Sequence, residues 1–247
     1  MLHFPVLRTR RLAIQLRELS IADSLRIAQI PSHLGEAQTS AFLAAAVVSV
    51  TPQTLSEPAH WTVEERMMTV CHYLAVTSDG VPDFPVGEGN YSDYLDVRPG
   101  ESQEEIELIE LEGDRWRMRP LMGIDAERIE RLDGEIPELS GRAHWLVGGM
   151  AAQLFREGDA DHEEHTDDAA LLERMRIFSA FPESAFLKLL ASYREGRVKQ
   201  QHLFATDFSA TGIVALPKKG GRENLPPARF SGIACISDFA QALAGRP

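Results

Sequence analysis

Two short segments fix where helices begin in this chain, and so constrain its fold most. In "LSIADSLRIAQIP" Ser20 stands three residues before Asp23; in "WTVEERMMTVCHYLA" Thr62 stands three residues before Glu65. At this spacing the hydroxyl accepts the N–H of the third residue, and the acid accepts the N–H of the cap. Apolar residues follow at helical spacing: Ile21, Leu25 and Ala28 with Leu19, then Val63, Met67, Val70, Cys71 and Leu74. Each segment therefore predicts an amphipathic helix, the first stopped by Pro31. Between them Ser32 is a candidate N-cap for a helix through 32–50, whose end "AFLAAAVVSV" is apolar enough to be buried. These starts predict a helical module over residues 1–77.

The pattern then changes. Residues 77–102 are rich in Gly, Pro and Asp and read as loop. "EIELIELEGDRWRMRPL" alternates apolar and charged residues on both sides of Glu112-Gly113-Asp114, which predicts a β-hairpin with one polar face. Glu105, Glu107 and Glu110 on one arm are expected to face Arg115, Arg117 and Arg119 on the other. Residues 78–122 thus form a loop-rich segment carrying a hairpin.

Helical periodicity returns over 123–247. "IDAERIERLDGE" has Asp125 as a candidate N-cap and Gly134 as a stop; "SGRAHWLVGGMAAQLFREG" reads as one helix interrupted or closely packed at Gly148 and Gly149. A helix pair follows, broken before Pro182. "GIVALP" and "FSGIACI" read as short strands, and "SDFAQALAG" as a helix from Ser237 to Gly245. The expected fold class is α+β, predominantly α, with helical modules around an inserted hairpin and a loop-rich middle.

A chain of 247 residues with formal charge −12 disfavours nucleic acid and anionic membranes as partners. No apolar run reaches the roughly 18 residues of a membrane span, and the first residues lack a signal-peptide core. Cys71 and Cys235 lie far apart and outside any CxxC, so buried reduced thiols are expected rather than a disulfide framework or a zinc site. "VGEGNYS" lacks the third glycine of a dinucleotide loop, and neither a P-loop nor a nucleophile elbow occurs. No cofactor is expected.

The most chemical stretch is "EGDADHEEHTDD", residues 157–168. His162 and His165 are three apart, not the four of a zinc-binding HExxH helix, and the spacing of acids does not make a calcium loop. A solvated connector is favoured; His162 and His165 remain weak candidate metal ligands. Asp167 and Asp168 are placed to open the next helix. Phe84, Tyr91, Tyr94 and Trp116 cluster around the loop-rich middle. They either dock another protein or anchor the loop on its own domain; as candidate protein-binding residues they are the best the sequence offers.

The pair of segments "LRELSIADSLRIAQIP" and "TVEERMMTVCHYLA" resembles the N-terminal part of tail and baseplate proteins of tailed bacteriophages. The resemblance covers about the first third of the chain and rests on Leu16-Arg17-Glu18-Leu19, the capped helix into Pro31, and Thr62 to Arg66. It implies a non-enzymatic structural component of a tail tip or baseplate, assembled in the host cytoplasm into a multi-subunit virion tail with other tail proteins as partners. A tail-assembly chaperone absent from the finished particle is the alternative, and a metal-dependent hydrolase built on the acid–histidine stretch a second.

Overall fold

A computed structural model describes residues 2–78, 81–97, 105–111, 113–156, 167–222 and 224–245. In chain order the strands and α-helices among them are β1 (Leu7–Arg8), β2 (Ala13–Leu16), α1 (Ile21–Gln29), α2 (Gly35–Ala46), β3 (Val47–Thr51), α3 (Val63–Thr77), β4 (Pro85–Val86) and β5 (Gly89–Asn90). There follow β6 (Ile106–Leu111), β7 (Asp114–Met118), α4 (Gly123–Arg131), α5 (Gly141–Gln153) and β8 (Leu154–Arg156). The last are α6 (Asp168–Ser179), α7 (Glu183–Gln200), β9 (Ala205–Ser209), β10 (Gly212–Leu216) and α8 (Asp238–Leu243). The fold is α+β and mostly helical, with small antiparallel sheets. By its internal contacts the chain divides into two units: Met1–Leu95 with Met122–Ile124 and Val214–Pro247, and Asp96–Leu121 with Asp125–Ile213.

Both capping boxes close in the first unit. Ser20 Oγ accepts from Asp23 N at 3.1 Å while Asp23 Oδ2 accepts from Ser20 N at 3.1 Å. Thr62 and Glu65 do the same at 3.2 and 3.0 Å. Arg17 and Arg26 also reach Asp23. The Ser20 hydroxyl is the main reason why the Asp23 carboxyl titrates at about 2 instead of the usual 3.8, with the Ser20 N–H and Arg17 adding to it. A depressed carboxyl contributes its stability above its unfolded pKa and loses it as pH falls through the folded one. Urea melts should therefore weaken progressively from about pH 4 to about pH 2, and Asp23→Asn should flatten that slope.

The first unit is not purely helical. β1, β2 and β3 form an antiparallel sheet in which Ile14 pairs with Leu7 on one side and Val50 on the other. The helix expected over 32–50 stops at Ala46, and Val47–Thr51 is a strand, because Ile14 and Leu16 offer backbone partners that β-branched valines take readily. That helix starts at Gly35, not after Ser32. Near the C-terminus, Gly232–Cys235 is a 3-10 turn where a strand was expected. A Cβ at Gly232 would lie 2.5 Å from Gln38 O, so this turn packs backbone to backbone on α2. Ser237 caps α8 as expected, accepting from Ala240 N at 3.3 Å.

In the second unit the hairpin forms with the expected charge register: Glu107 opposes Arg117 and Glu110 opposes Arg115, with an irregularity between the two acids. Arg119 leaves that ladder and binds Asp125 at 2.9 Å and Ala152 O at 2.9 Å. Asp125 is accordingly a buried first-turn residue of α4, not its N-cap. A third strand, β8, pairs with β7, so the helix expected to continue to 158 ends at Gln153. Gly148 and Gly149 permit close packing: a Cβ at Gly148 would lie 2.7 Å from Ile129, and one at Gly149 2.3 Å from the Phe208 ring. Gly196 of α7 lies equally close to Leu108 and Met118 of the hairpin. Asp167 caps α6, accepting from Ala170 N at 2.8 Å, and Asp168 pairs with Arg131, which holds its carboxyl below the usual range.

Candidate functional site

The first unit carries two adjoining concavities, referred to together as the furrow and singly as its lobes. The C-terminal end of α3 supplies Leu74 and Ser78, and the 3-10 turn before α8 supplies Ala234; both lobes share these three residues. The first lobe, about 600 Å³, is walled mainly by Phe84, Val86 and Phe230, with Arg229 as the charged residue among the described lining residues. The second, about 780 Å³, runs between α1 and the start of α8, with Glu18 and Asp238 as its charged lining residues and Leu2 and Ile21 as apolar ones. These volumes fall in the range of ordinary ligand and peptide sites.

Aromatic packing explains why the first lobe is there. The tight turn between β4 and β5 has Gly87 at φ +57, a conformation that glycine adopts without strain. It presents Phe84 to Tyr91, whose rings stack at 5.2 Å and 5°. Phe230 meets Tyr91 and Tyr94 edge-on at 6.3 and 5.9 Å. Tyr94 donates to Pro226 O at 2.8 Å, and Tyr91 donates to Met68 Sδ at 3.0 Å. Burial raises the pKa of both phenols, keeping them neutral donors.

Three of the four aromatic residues expected to bind a partner are thus brought together, but mainly as the wall behind the furrow. Phe84 and Tyr94 are buried and Tyr91 is half-buried. Trp116 belongs to the second unit, buried against Phe178 and Phe181 at 5.7 and 6.2 Å, with the Arg156 guanidinium over its ring. Phe84, Tyr94 and Trp116 are buried by packing within their own units. Sequence reasoning missed Arg229, Phe230 and Ala234 altogether. Phe230 and Ala234 sit in "FSGIACI", which reads as a strand, with Arg229 just before it, and the segment comes to the furrow only by long-range folding.

Cys71 and Cys235 are buried free thiols, as expected. Burial pushes both pKa values well up, so neither is a thiolate nucleophile. His72 is no partner for Cys71; its Nε2 lies 2.8 Å from Pro5 O. His162 and His165 lie outside the described residues. Among the described residues no three His, Cys, Asp or Glu side chains gather as a metal site, and no helix is long and apolar enough to cross a membrane.

Comparison with protein-family models, curated proteins and solved structures gives no match to this chain.

Proposed function

We propose that the chain is a structural component of a bacteriophage tail tip or baseplate that binds neighbouring tail subunits during assembly. The phage assignment rests on the resemblance carried by Leu16–Leu19 and Thr62–Arg66. The binding role rests on one observation: apolar side chains stand in solvent at the furrow. Ile21 is 51% exposed and Leu2 43%, and both line the second lobe. Phe239 at 65% and Leu243 at 57% lie one turn apart on α8, directly beyond Asp238 of the rim. Scattered single exposures are ordinary; several around one concavity mark an association surface.

The chain is expected in purified particles of the phage that encodes it, at a fixed ratio to tail subunits, when particles and infected-cell lysate are compared by mass spectrometry. Presence in lysate complexes with tail subunits but absence from particles would assign it to assembly as a chaperone. Absence from both would overturn the tail reading.

A further inference from the structure

The helix α7 is held along one side and bare along the other. On its inward side Ala185, Leu189, Tyr193, Gly196 and Gln200 are buried within the second unit. Tyr193 donates to Gln153 Oε1 at 2.6 Å, and Gly196 comes so near the hairpin that a Cβ there would lie 2.7 Å from Leu108. These contacts fix which face the helix turns outward.

That outward face carries Leu187, Ala191, Arg194 and Val198, at steps of four, three and four residues. All four are exposed, Leu187 by 54% and Val198 by 49%. Steps of three and four set side chains in one line along a helix, the spacing of a coiled-coil seam. Lys188 and Glu195 stand on one flank of this line. They are about 10 Å apart along the helix axis, too far to pair within one helix. Among the described residues, none forms an ion pair with Lys188, Arg194 or Glu195.

The pattern is self-complementary. Two copies of α7 set antiparallel have their two-fold axis midway between Ala191 and Arg194. Leu187 of one copy then meets Val198 of the other on both sides of the axis, and each Ala191 leaves room for the stem of the opposite Arg194. Lys188 of one copy lies beside Glu195 of the other, and symmetry repeats the pair. A parallel pairing would instead oppose Arg194 to Arg194 within the seam.

We propose that two copies of the chain associate through the outward face of α7, antiparallel about this axis. The seam from Leu187 to Val198 is only about 17 Å long, so the dimer belongs to the small, weak class of interfaces and forms as concentration rises. Charge pairing sets the direction of the helices, while apolar burial holds them together. This association goes beyond the tail reading and uses neither lobe of the furrow.

Sedimentation velocity of the full-length chain over a wide concentration range tests it. A reversible monomer–dimer equilibrium is expected. Leu187→Glu combined with Val198→Glu, both at exposed positions, should weaken self-association by roughly tenfold or more with little change in the urea melt. Lys188→Glu and Glu195→Lys should each weaken it several-fold, because each sets like charges across the seam. An equimolar mixture of these two variants should associate as well as the natural chain, since each copy offers the charge that the other lacks. If the doubly acidic variant does not fold, the two charge variants and their mixture decide the matter alone. A chain that stays monomeric at the highest concentration, dimers that withstand the doubly acidic variant, or a mixture no tighter than its components would overturn the proposal.

Discussion

Glu65→Ala is expected to lower the stability of the first unit by about 3–5 kcal/mol. The Glu65 side chain is fully buried and has no water to fall back on. It closes the cap of α3 through Thr62 N at 3.0 Å and receives Arg11 as a fork, Nε at 3.1 Å and Nη2 at 2.6 Å. Thr9 Oγ1 adds a contact at 3.4 Å. One carboxylate thus joins the start of α3 to the turn between β1 and β2. Truncation leaves a buried cap N–H and a half-buried guanidinium unmatched, and opens a cavity. Glu65→Gln preserves size and the cap acceptor, so its cost should be smaller, roughly 1.5–3 kcal/mol. Urea titration followed by tryptophan fluorescence reads both, Trp61 being the buried indole of this unit. A loss below about 1 kcal/mol for Glu65→Ala would mean that the fork is a surface-type pair of little consequence.

The second large effect falls on the other unit. Trp116→Ala is expected to cost about 3–5 kcal/mol, the usual range for removing a buried indole. Trp116 is 5% exposed, at the centre of a cluster with Phe178, Phe181 and Arg156 that ties β7 and β8 to the end of α6. The same variant should leave subunit binding at the furrow unchanged at temperatures where it remains folded, because none of the described furrow residues belongs to that unit. A variant of normal stability that fails to assemble would instead restore Trp116 as a contact residue.

What the sequence disclosed follows the range of the interaction. The two capping boxes, the stop at Pro31, the caps at Asp167 and Ser237 and the charge register of the hairpin all depend on residues close in the chain. The caps, the stop and the Glu107–Arg117 and Glu110–Arg115 pairs formed as their spacing predicts, whereas Arg119 left the ladder for Asp125. The elements that differ depend on distant partners. Ile14 and Leu16 alternate inward along β2 just after the buried Leu12, a period-two signal too short to stand out beside the helix start at Ser20. Val47–Thr51 follows an alanine-rich helix with no Gly or Pro between, so only its pairing with β2 identifies it. β8 likewise exists because Trp116–Met118 lie open to it.

The candidate site was less legible than the fold. Of the aromatic residues singled out in the sequence, Phe84 lines the first lobe, with Tyr91 and Tyr94 packed behind it and Phe230. Their burial gives them a supporting part, whereas the charged and apolar groups at the surface come from both ends of the chain. Leu2, Glu18 and Ile21 meet Ala234 and Asp238 across more than 200 residues, a juxtaposition that no spacing rule encodes. The histidine stretch at 157–168, chemically the richest in the sequence, contributes only its last two residues to the described structure, as the cap and first turn of α6.

The most direct measurement is photo-cross-linking from position 234 at the centre of the furrow, with the photoreactive amino acid carried by the full chain while phage tails assemble. The expected product is a discrete adduct to one tail subunit, mapped by mass spectrometry to one segment of that subunit. Tails that assemble normally with no adduct from position 234, or adducts spread over unrelated proteins, would contradict the furrow as the binding face.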